Sequence, residues 1–310
     1  MFALLHPSFE LPASAFDWLG QVLSAHPGNL HIEEMSGSTS STLFQVSLTE
    51  SELPFVLRCH TNPDWLKEEP DVVVHEAGAL AVLAHSDIPA PRVVAVDPFG
   101  AYCSVPSLLM TSLPGRVILK PHDLHAWLLQ IAQPLQKIHS LPATGFGWKY
   151  SPYVNPANAQ VPNWTHNPDL WQRVIDVARR PLPDFTPAFI HRDYHPANLL
   201  FENGQLSGIV DWPNACLGPA DFDIAWCRQN LTWMYGVETA DRFLSACREI
   251  GGIRFTYDPF WDILAGIEVL PGPIQYYPPW QQFGLPSIAA SELLRREEAL
   301  LKSALQQIRS

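Results

Sequence analysis

The sequence predicts an α+β protein with a small N-terminal lobe, built on a β-sheet with one main helix, and a larger, mostly helical C-terminal lobe. Short β-type runs surround one main helical segment before residue 113. Pro114-Gly115 then interrupts the pattern, and helical spacing dominates the rest of the chain. A chain of 310 residues is long enough for two lobes. We therefore expect one lobe over residues 1–113 and a second lobe over residues 114–310.

The N-terminal lobe is predicted from the order of its short segments. Residues 1–30 contain a helix whose apolar face includes Trp18 and Leu19. The strands predicted after it are two around a Ser/Thr/Gly turn between Ile32 and Leu48, then Pro54–Cys59, Val93–Val96 and Ser107–Met110. The main helix covers Asp71 to His85, and its apolar face is predicted to consist of Val74, Ala77, Leu80 and Ala81.

The C-terminal lobe is predicted to be mostly helical. The predicted helices are Leu124–His139, Leu170–Arg180, Ala220–Tyr235, Ala240–Glu249 and Ser291–Arg309. The last helix carries an apolar stripe, interpreted as core packing, made of Leu294, Leu301, Leu305 and Ile308. The segment Tyr150–Asn167 is rich in Pro and Asn and is predicted to be a surface insertion.

Composition limits the class of protein and its partners. The chain is 47% hydrophobic and 16% charged, and no apolar run reaches the length of a membrane span. A formal net charge of −12 argues against nucleic acid as a partner and mildly favours a cationic substrate, although it could equally serve solubility. The start lacks the basic region of a signal peptide. Five cysteines without a CxxC pair favour reduced thiols and a cytoplasmic protein.

The segment from Phe189 to Ala225 carries the most specific pattern. His191-Arg192-Asp193 is followed five residues later by Asn198, and Asp211 ends an apolar run thirteen residues after that. Asn203-Gly204 is a hairpin signal between two short apolar segments. We expect this hairpin to bring Asn198 and Asp211 together, where both could reach one cation. The alternative is that Asp193 and Asp211 only cap turns.

The spacing is that of a kinase catalytic loop, H-R-D-x-x-x-x-N. Phosphoryl transfer needs a carboxylate beside the attacking hydroxyl, and an amide and a second carboxylate that hold magnesium. In this interpretation Asp193 is the catalytic residue, and Asn198 and Asp211 bind Mg²⁺.

Nucleotide binding is predicted at three places in the N-terminal lobe. Ser36, Gly37 and Ser38 lie in a turn between two strands, where backbone N–H groups could cover phosphates. A plain hairpin turn is the alternative. Arg58 ends the third strand, where a kinase carries a phosphate-binding cation, and Glu76 on the following helix could pair with it. An exposed ion pair is the alternative.

The third place is the end of a buried strand. Met110, Thr111 and Leu113 lie where a hinge would present backbone groups to a purine. A simple strand-to-turn junction explains these residues equally well.

At these residues the chain resembles the aminoglycoside phosphotransferase family, which is itself similar to choline and homoserine kinases. The family pattern is close to H-G-D-x-H-x-x-N, then D-W, then G-x-x-x-x-D-x-A. The corresponding residues here are His191 to Asn198, Asp211-Trp212, and Gly218 through Asp223 to Ala225. Arg192 replaces the glycine of the first motif. The resemblance implies a bilobal protein-kinase-like fold, ATP or GTP with Mg²⁺, and support of the catalytic loop by His191 and Asp223.

The sequence thus predicts a small-molecule kinase, with a nucleotide-binding lobe over residues 1–113 and a catalytic and acceptor-binding lobe over residues 114–310. The acceptor pocket is predicted in the helical lobe at Trp226, Trp233, Asp262 and Glu268, whose rings and carboxylates could hold an amine. Core packing with surface acids is the favoured alternative. A protein Ser/Thr kinase is disfavoured because no activation loop follows Asp211. A nucleotide-binding pseudokinase is disfavoured because Asp193, Asn198 and Asp211 are all present. The sequence leaves the acceptor and the oligomeric state open.

Overall fold

The computed structural model describes residues 9–35, 41–49, 54–270 and 272–309. Within them the chain forms two compact units. The smaller unit contains the described residues up to Gly115 together with Ser207–Asn214, and the larger contains Arg116–Leu206 and Ala215 onward. The assignment of nucleotide binding to residues 1–113 and of catalysis to residues 114–310 stays a prediction.

The smaller unit is built on a five-stranded antiparallel sheet with strand order β1-β2-β3-β5-β4. Its strands are β1 (Leu30–Met35), β2 (Thr42–Leu48), β3 (Phe55–Cys59), β4 (Val93–Asp97) and β5 (Ser107–Thr111). Its helices are α1 (Ala13–Val22), α2 (Pro63–Glu68) and α3 (Val72–Leu83). Trp18 and Leu19 of α1 pack in one buried cluster with Val46 and Leu57 of the sheet, which explains why α1 carries an apolar face.

The predicted apolar face of α3 is wrong. Val74 is 47% exposed, and Ala81 is exposed as well. The buried residues of α3 are Val72, Val73, His75, Glu76, Ala79, Leu80 and Leu83. The helix therefore buries His75 and Glu76, and its buried face is rotated relative to the apolar face that the sequence predicted.

The larger unit is mostly helical, as the sequence predicts. Its helices are α4 (Leu124–His139), α5 (Pro168–Ala178), α6 (Ala220–Tyr235), α7 (Val237–Gly251), α8 (Phe260–Ile267), α9 (Pro279–Gln282) and α10 (Ala290–Arg309). The remaining strands are β6 (Arg116–Val117), β7 (Ala188–Ile190), β8 (Leu199–Glu202), β9 (Gln205–Ile209) and β10 (Cys216–Gly218). β7 pairs antiparallel with β10, and a second short sheet has the order β6-β8-β9. No helix of the described residues is long and apolar enough to cross a membrane.

The core of the larger unit lies between α5, α6, α8 and α10. Trp171, Phe222 and Trp261 pack there against Leu301 and Leu305 of α10, and Leu294 and Ile308 pack against the same cluster. The interpretation of the α10 stripe as core packing is therefore confirmed. The sequence did not predict α8, because all eight of its residues are buried and no exposed polar face marks a helical period.

Two segments outside the α-helices and strands make specific contacts or turns. Asn203 and Gly204 adopt positive φ angles of 50° and 78°, as the predicted Asn-Gly turn between β8 and β9 requires. The stretch Tyr150–Asn167, which the sequence predicted to be a surface insertion, is joined by hydrogen bonds to other elements of the larger unit. Tyr150 N–H donates to the carbonyl of Leu217, and the Thr165 hydroxyl donates to Glu298 on α10.

Candidate active site

The loop after β7 is held by one buried carboxylate. Asp223, in the first turn of α6, accepts hydrogen bonds from the backbone N–H of His191 (3.0 Å) and of Arg192 (2.8 Å). Its Oδ2 also lies 2.9 Å from Nε2 of His139, at the end of α4. Asp223 is fully buried. The implied hydrogen bonds from the loop backbone to Asp223 are therefore present.

The Asp193 carboxylate is oriented by neighbours of the same unit. The Trp226 indole Nε1 donates to Asp193 Oδ1 at 2.7 Å, and His195 Nε2 lies 3.5 Å from the same oxygen. The Asn198 side-chain nitrogen donates to the Asp193 carbonyl at 3.0 Å. Both the backbone and the side chain of Asp193 are thus held in place, and its catalytic role stays a prediction.

His191 supports the loop from inside. Its ring is fully buried, and its Nδ1 accepts the backbone N–H of Asp193 at 3.3 Å. The ring packs edge-on against Tyr194, whose hydroxyl donates to the carbonyl of Ile131 on α4 at 2.7 Å. These contacts join the loop to α4.

Arg192 adopts a left-handed backbone conformation with φ 71°. Glycine enters this region freely, whereas other residues do so at a cost of about 1–2 kcal/mol. The guanidinium is buried and pairs with Glu268, with Nη2 2.9 Å from Oε1. The geometry explains why a glycine suits this motif position, and it shows that the arginine here is held by specific partners.

In the smaller unit, Arg58 lies between two carboxylates. Its Nη1 is 2.7 Å from Glu76 Oε1 and 2.9 Å from Asp211 Oδ1. The predicted pairing of Arg58 with Glu76 is confirmed, and the pair is buried rather than exposed. Burial acts to lower the pKa of Arg58, but the two carboxylates outweigh it and the pKa is raised. Burial also raises the pKa of the Glu76 carboxyl, against the opposing effect of Arg58.

This cluster contains buried polar atoms that no described group satisfies. They are Nε of Arg58, Oε2 of Glu76 and both ring nitrogens of His60. Burial and the charge of Arg58 lower the pKa of His60 to about 3, so its ring is neutral. Buried polar groups normally have partners. The Arg58 Nε donor is fully buried, so a phosphate oxygen could use it only after neighbouring side chains move, and the role of this residue in nucleotide binding stays a prediction.

The two predicted magnesium ligands offer oxygen atoms, which this cation prefers. Asp211 has φ 72° and a side chain that is 35% exposed, so its carboxylate is accessible. The Asn198 amide nitrogen is engaged with Asp193, which leaves the amide oxygen as the ligating atom. Groups of three or more His, Cys, Asp or Glu that could hold a metal do not occur among the described residues. The predicted ligands are one carboxylate and one amide, and their role stays a prediction.

The contacts of the other predicted nucleotide-site residues do not test their predicted role. Ser36, Gly37 and Ser38 lie outside the described residues. Met110 and Thr111 are on β5, between β3 and β4, and Leu113 follows the strand. The Thr111 hydroxyl accepts the backbone N–H of Arg92 at 2.9 Å. The hinge role of these residues stays a prediction.

The structure separates the four predicted acceptor-pocket residues by their contacts. Trp226 contacts Asp193, and Glu268 pairs with Arg192. Trp233 Nε1 donates to Glu297, and Asp262 is buried in an ion pair with Arg228, whose Nε lies 3.0 Å from Asp262 Oδ1. The placement of Asp262 favours the packing part of the alternative, but neither acid lies at the surface, because the side chains of Asp262 and Glu268 are both buried.

Sequence reasoning missed three polar residues of the larger unit. His139 and Arg228 lie in helices whose spacing gives no hint of their partners, which are 84 and 34 residues away. Glu297 lies on α10 one turn away from the buried Leu293 and Leu301, and its carboxylate accepts from Gln229 and Trp233. Burial raises the pKa of Glu297 to about 8. A charged residue at a core position of an amphipathic helix is the one signal that could have identified it.

Among curated proteins, the chain is similar in sequence to homoserine kinases. The homoserine kinase of Mesorhizobium japonicum is 24% identical over 221 residues, which is 64% of this chain and 59% of that protein. The match thus spans less than two thirds of the curated relative's length.

Two solved structures share the fold. A thermostable variant of APH(4)-Ia, in a ternary complex with AMP-PNP and hygromycin B, has a TM-score of 0.64 at 16% identity, and the match covers 94% of this chain and 99% of that chain. The macrolide 2′-phosphotransferase MphH of Brachybacterium faecium has a TM-score of 0.57 at 17% identity, and the match covers 92% and 97%. The predicted α+β, protein-kinase-like fold is confirmed.

The family follows from a match over most of the sequence. The model of the phosphotransferase enzyme family, APH, matches residues 31–259. This range contains the catalytic-loop motif, Asp211 and Asp223, which carried the resemblance in the sequence. The chain therefore belongs to the APH phosphotransferase enzyme family.

Proposed function

We propose that this protein is a kinase that transfers the γ-phosphate of ATP or GTP to a hydroxyl group of a small molecule. One observation carries the proposal. The Asp193 carboxylate, on a loop whose backbone is fixed by Asp223, is aimed by a 2.7 Å hydrogen bond from Trp226. This is the arrangement that a proton acceptor for a substrate hydroxyl requires. Family membership supports the same reaction class.

The roles of the chain's own residues follow from their contacts. Asp193 orients the acceptor hydroxyl and takes its proton as the oxygen attacks phosphorus. Trp226 holds one oxygen of that carboxylate in place. Asn198 fixes the loop through the Asp193 carbonyl and offers its amide oxygen to a cation.

The smaller unit supplies the residues proposed for the nucleotide. Arg58, set by Glu76, binds phosphate oxygens, with the unpartnered Nε as an additional donor. Asp211 offers an accessible carboxylate to a cation. Magnesium, when bound, would supply the positive charge that neutralises the transferring phosphate.

The acceptor is proposed only as a class. Relatives and structural neighbours include a homoserine kinase, an amicoumacin kinase and a macrolide 2′-phosphotransferase. The net charge of −12 favours a cationic acceptor. Asp262 and Glu268 do not support that preference, because buried arginines already pair with both carboxylates. We also propose a reducing cytoplasmic location, since all five cysteines are free and buried.

The test is a transfer screen with radiolabelled γ-phosphate over amino alcohols including homoserine, aminoglycosides, macrolides and sugars. ATP and GTP are compared as donors, with and without Mg²⁺. The matched control is Asp193→Asn, which keeps the size of the side chain and removes the proton acceptor. Turnover should fall roughly 10²–10⁴-fold with little change in nucleotide affinity. A wild-type protein that binds nucleotide yet labels no acceptor would overturn the proposal and favour the pseudokinase.

A further inference from the structure

Arg192 combines two features that are unusual at a single loop position. Its backbone has φ 71°, in the left-handed region that glycine favours. Its guanidinium is 3% exposed, although arginine is almost never buried without partners. A residue that fits its site poorly in both respects requires compensating contacts, and the structure provides them.

The guanidinium binds three separate parts of the larger unit. Nη2 and Nη1 face the two oxygens of Glu268 at 2.9 and 3.4 Å, in a two-pronged arrangement. Nη2 also donates to the carbonyl of Ser151 at 3.3 Å. The cationic centre lies 4.2 Å from the ring centroids of both Tyr153 and Phe222. These partners belong to the segment before α5, the first turn of α6 and the residue that follows α8.

The backbone of the same residue acts on the catalytic loop. Arg192 N–H donates to Asp223 at 2.8 Å, and the next residue is Asp193, whose carboxylate is held by Trp226. A change at the guanidinium therefore reaches the Asp193 backbone through one peptide unit. Because a displacement of about 1 Å can cost roughly 10²-fold in rate, this linkage bears on catalysis.

We propose that Arg192 is a positioning residue: its pair with Glu268 holds the left-handed turn that presents Asp193. Glu268 then acts through Arg192 and is not a ligand of the acceptor. The inference rests on the proposed function for its kinetic consequence, whereas its structural consequence is independent of the reaction.

The variants separate positioning from simple stabilisation. Arg192→Gly relieves the backbone strain but leaves Glu268 buried without a counterion, so it is combined with Glu268→Gln. Glu268→Gln alone keeps the arginine and its shape. Arg192→Lys keeps a charge opposite Glu268 without the fork, and it serves if the glycine variants do not fold. The matched control is Arg228→Lys, because Arg228 is also buried and paired with a carboxylate but does not precede Asp193.

Two measurements are made on each folded variant. The first is hydrogen exchange at the amides of His191, Arg192 and Asp193, which needs no acceptor. We expect these amides to lose protection in the Arg192 and Glu268 variants and to keep it in Arg228→Lys. The second is steady-state kinetics with whichever acceptor the screen finds. We expect kcat to fall about 10- to 100-fold in the Arg192→Gly/Glu268→Gln variant, with both KM values unchanged.

Two results would overturn the proposal for Arg192 or Glu268. Wild-type kcat and wild-type amide protection in the Arg192→Gly/Glu268→Gln variant would show that a glycine suffices and would overturn the proposal. A raised acceptor KM with unchanged kcat in Glu268→Gln would make Glu268 an acceptor ligand and would overturn its role here. If no acceptor is phosphorylated, the proposed function fails, and the exchange data alone decide whether Arg192 positions the loop.

Discussion

Two buried arginines with acidic partners, one in each unit, differ in how completely they are satisfied. Arg228 of the larger unit uses all three guanidinium nitrogens, which bind Asp262, the carbonyl of Ala240 and Asp241 at 3.0–3.1 Å. Arg58 of the smaller unit contacts both Glu76 and Asp211 through Nη1, and its Nε has no partner among the described residues.

We interpret Arg228 as an arginine that stabilises the fold, and Arg58 as one whose Nε donor is left for a ligand. A satisfied buried network rigidifies its surroundings, whereas a buried donor without a partner is costly unless a ligand uses it. The acidic partners differ in exposure: Asp262, which pairs with Arg228, is buried, whereas Asp211, which pairs with Arg58, is accessible. Changes at Arg228 should therefore affect stability, and changes at Arg58 or Asp211 should affect nucleotide use.

The largest expected effect is on stability, from Arg228→Met. Removing one partner of a buried ion pair leaves an uncompensated charge, which typically costs about 3–5 kcal/mol. The free energy of unfolding, measured in denaturant, should fall by that order. Adding Asp262→Asn should recover part of the loss, because it removes the orphaned charge. An unchanged unfolding free energy in Arg228→Met would contradict the view that this network stabilises the fold.

The next effect is on catalysis, from Asp211→Asn. Asparagine is chosen because φ is 72° at this position, a conformation that Asn and Asp tolerate better than Ala. The change should reduce phosphate transfer roughly 10²–10³-fold, the range for losing one group that stabilises transition-state charge. The unfolding free energy should change little, since Arg58 keeps its pair with Glu76. Full transfer activity in folded Asp211→Asn would remove this residue from the proposed cation site.

The contrast also marks what the sequence could predict. Local signals were sufficient for the Asn203-Gly204 turn and for α6, where the motif places Asp223. The pairing of Arg58 with Glu76 followed from the order of a strand and a helix along a kinase-like pattern. In each case the information lies in neighbouring residues or in one familiar motif.

Partners that are distant in the sequence could not be predicted. Glu76 is buried because Arg58 meets it, so the spacing of apolar residues in α3 indicated the wrong face. Arg192 and Glu268 are 76 residues apart, and no periodicity connects them. The whole of α8 was missed because a helix that is buried on every side has no exposed polar face to mark its period.

A smaller effect is expected from Arg58→Lys. Lysine retains the charge opposite Glu76 but lacks the forked donors and the Nε that a phosphate oxygen could use. The KM for nucleotide should rise several-fold, equivalent to about 1 kcal/mol, the typical net value of one hydrogen bond. Arg228→Lys is the control, because the same replacement there should lower stability and leave the nucleotide KM unchanged. Equal nucleotide KM values for Arg58→Lys and the wild type would argue that the Arg58 Nε does not bind the nucleotide.

The most specific effect concerns pH, at a buried acid that has no cationic partner in the described residues. Glu297 accepts from Gln229 and Trp233, and burial raises its pKa to about 8 from a usual 4.5. The folded protein thus holds a proton that the unfolded chain has released.

The stability that this proton contributes is complete below about pH 4.5 and is lost as the pH rises towards 8. The slope from this group can reach about 1.4 kcal/mol per pH unit. Glu297→Gln, which cannot ionise, should flatten the fall in unfolding free energy between pH 5 and pH 8. Glu249→Gln, at an exposed site on α7, is the control and should follow the wild-type curve. Parallel curves for Glu297→Gln and the wild type would mean that the Glu297 carboxyl is ionised in the folded protein.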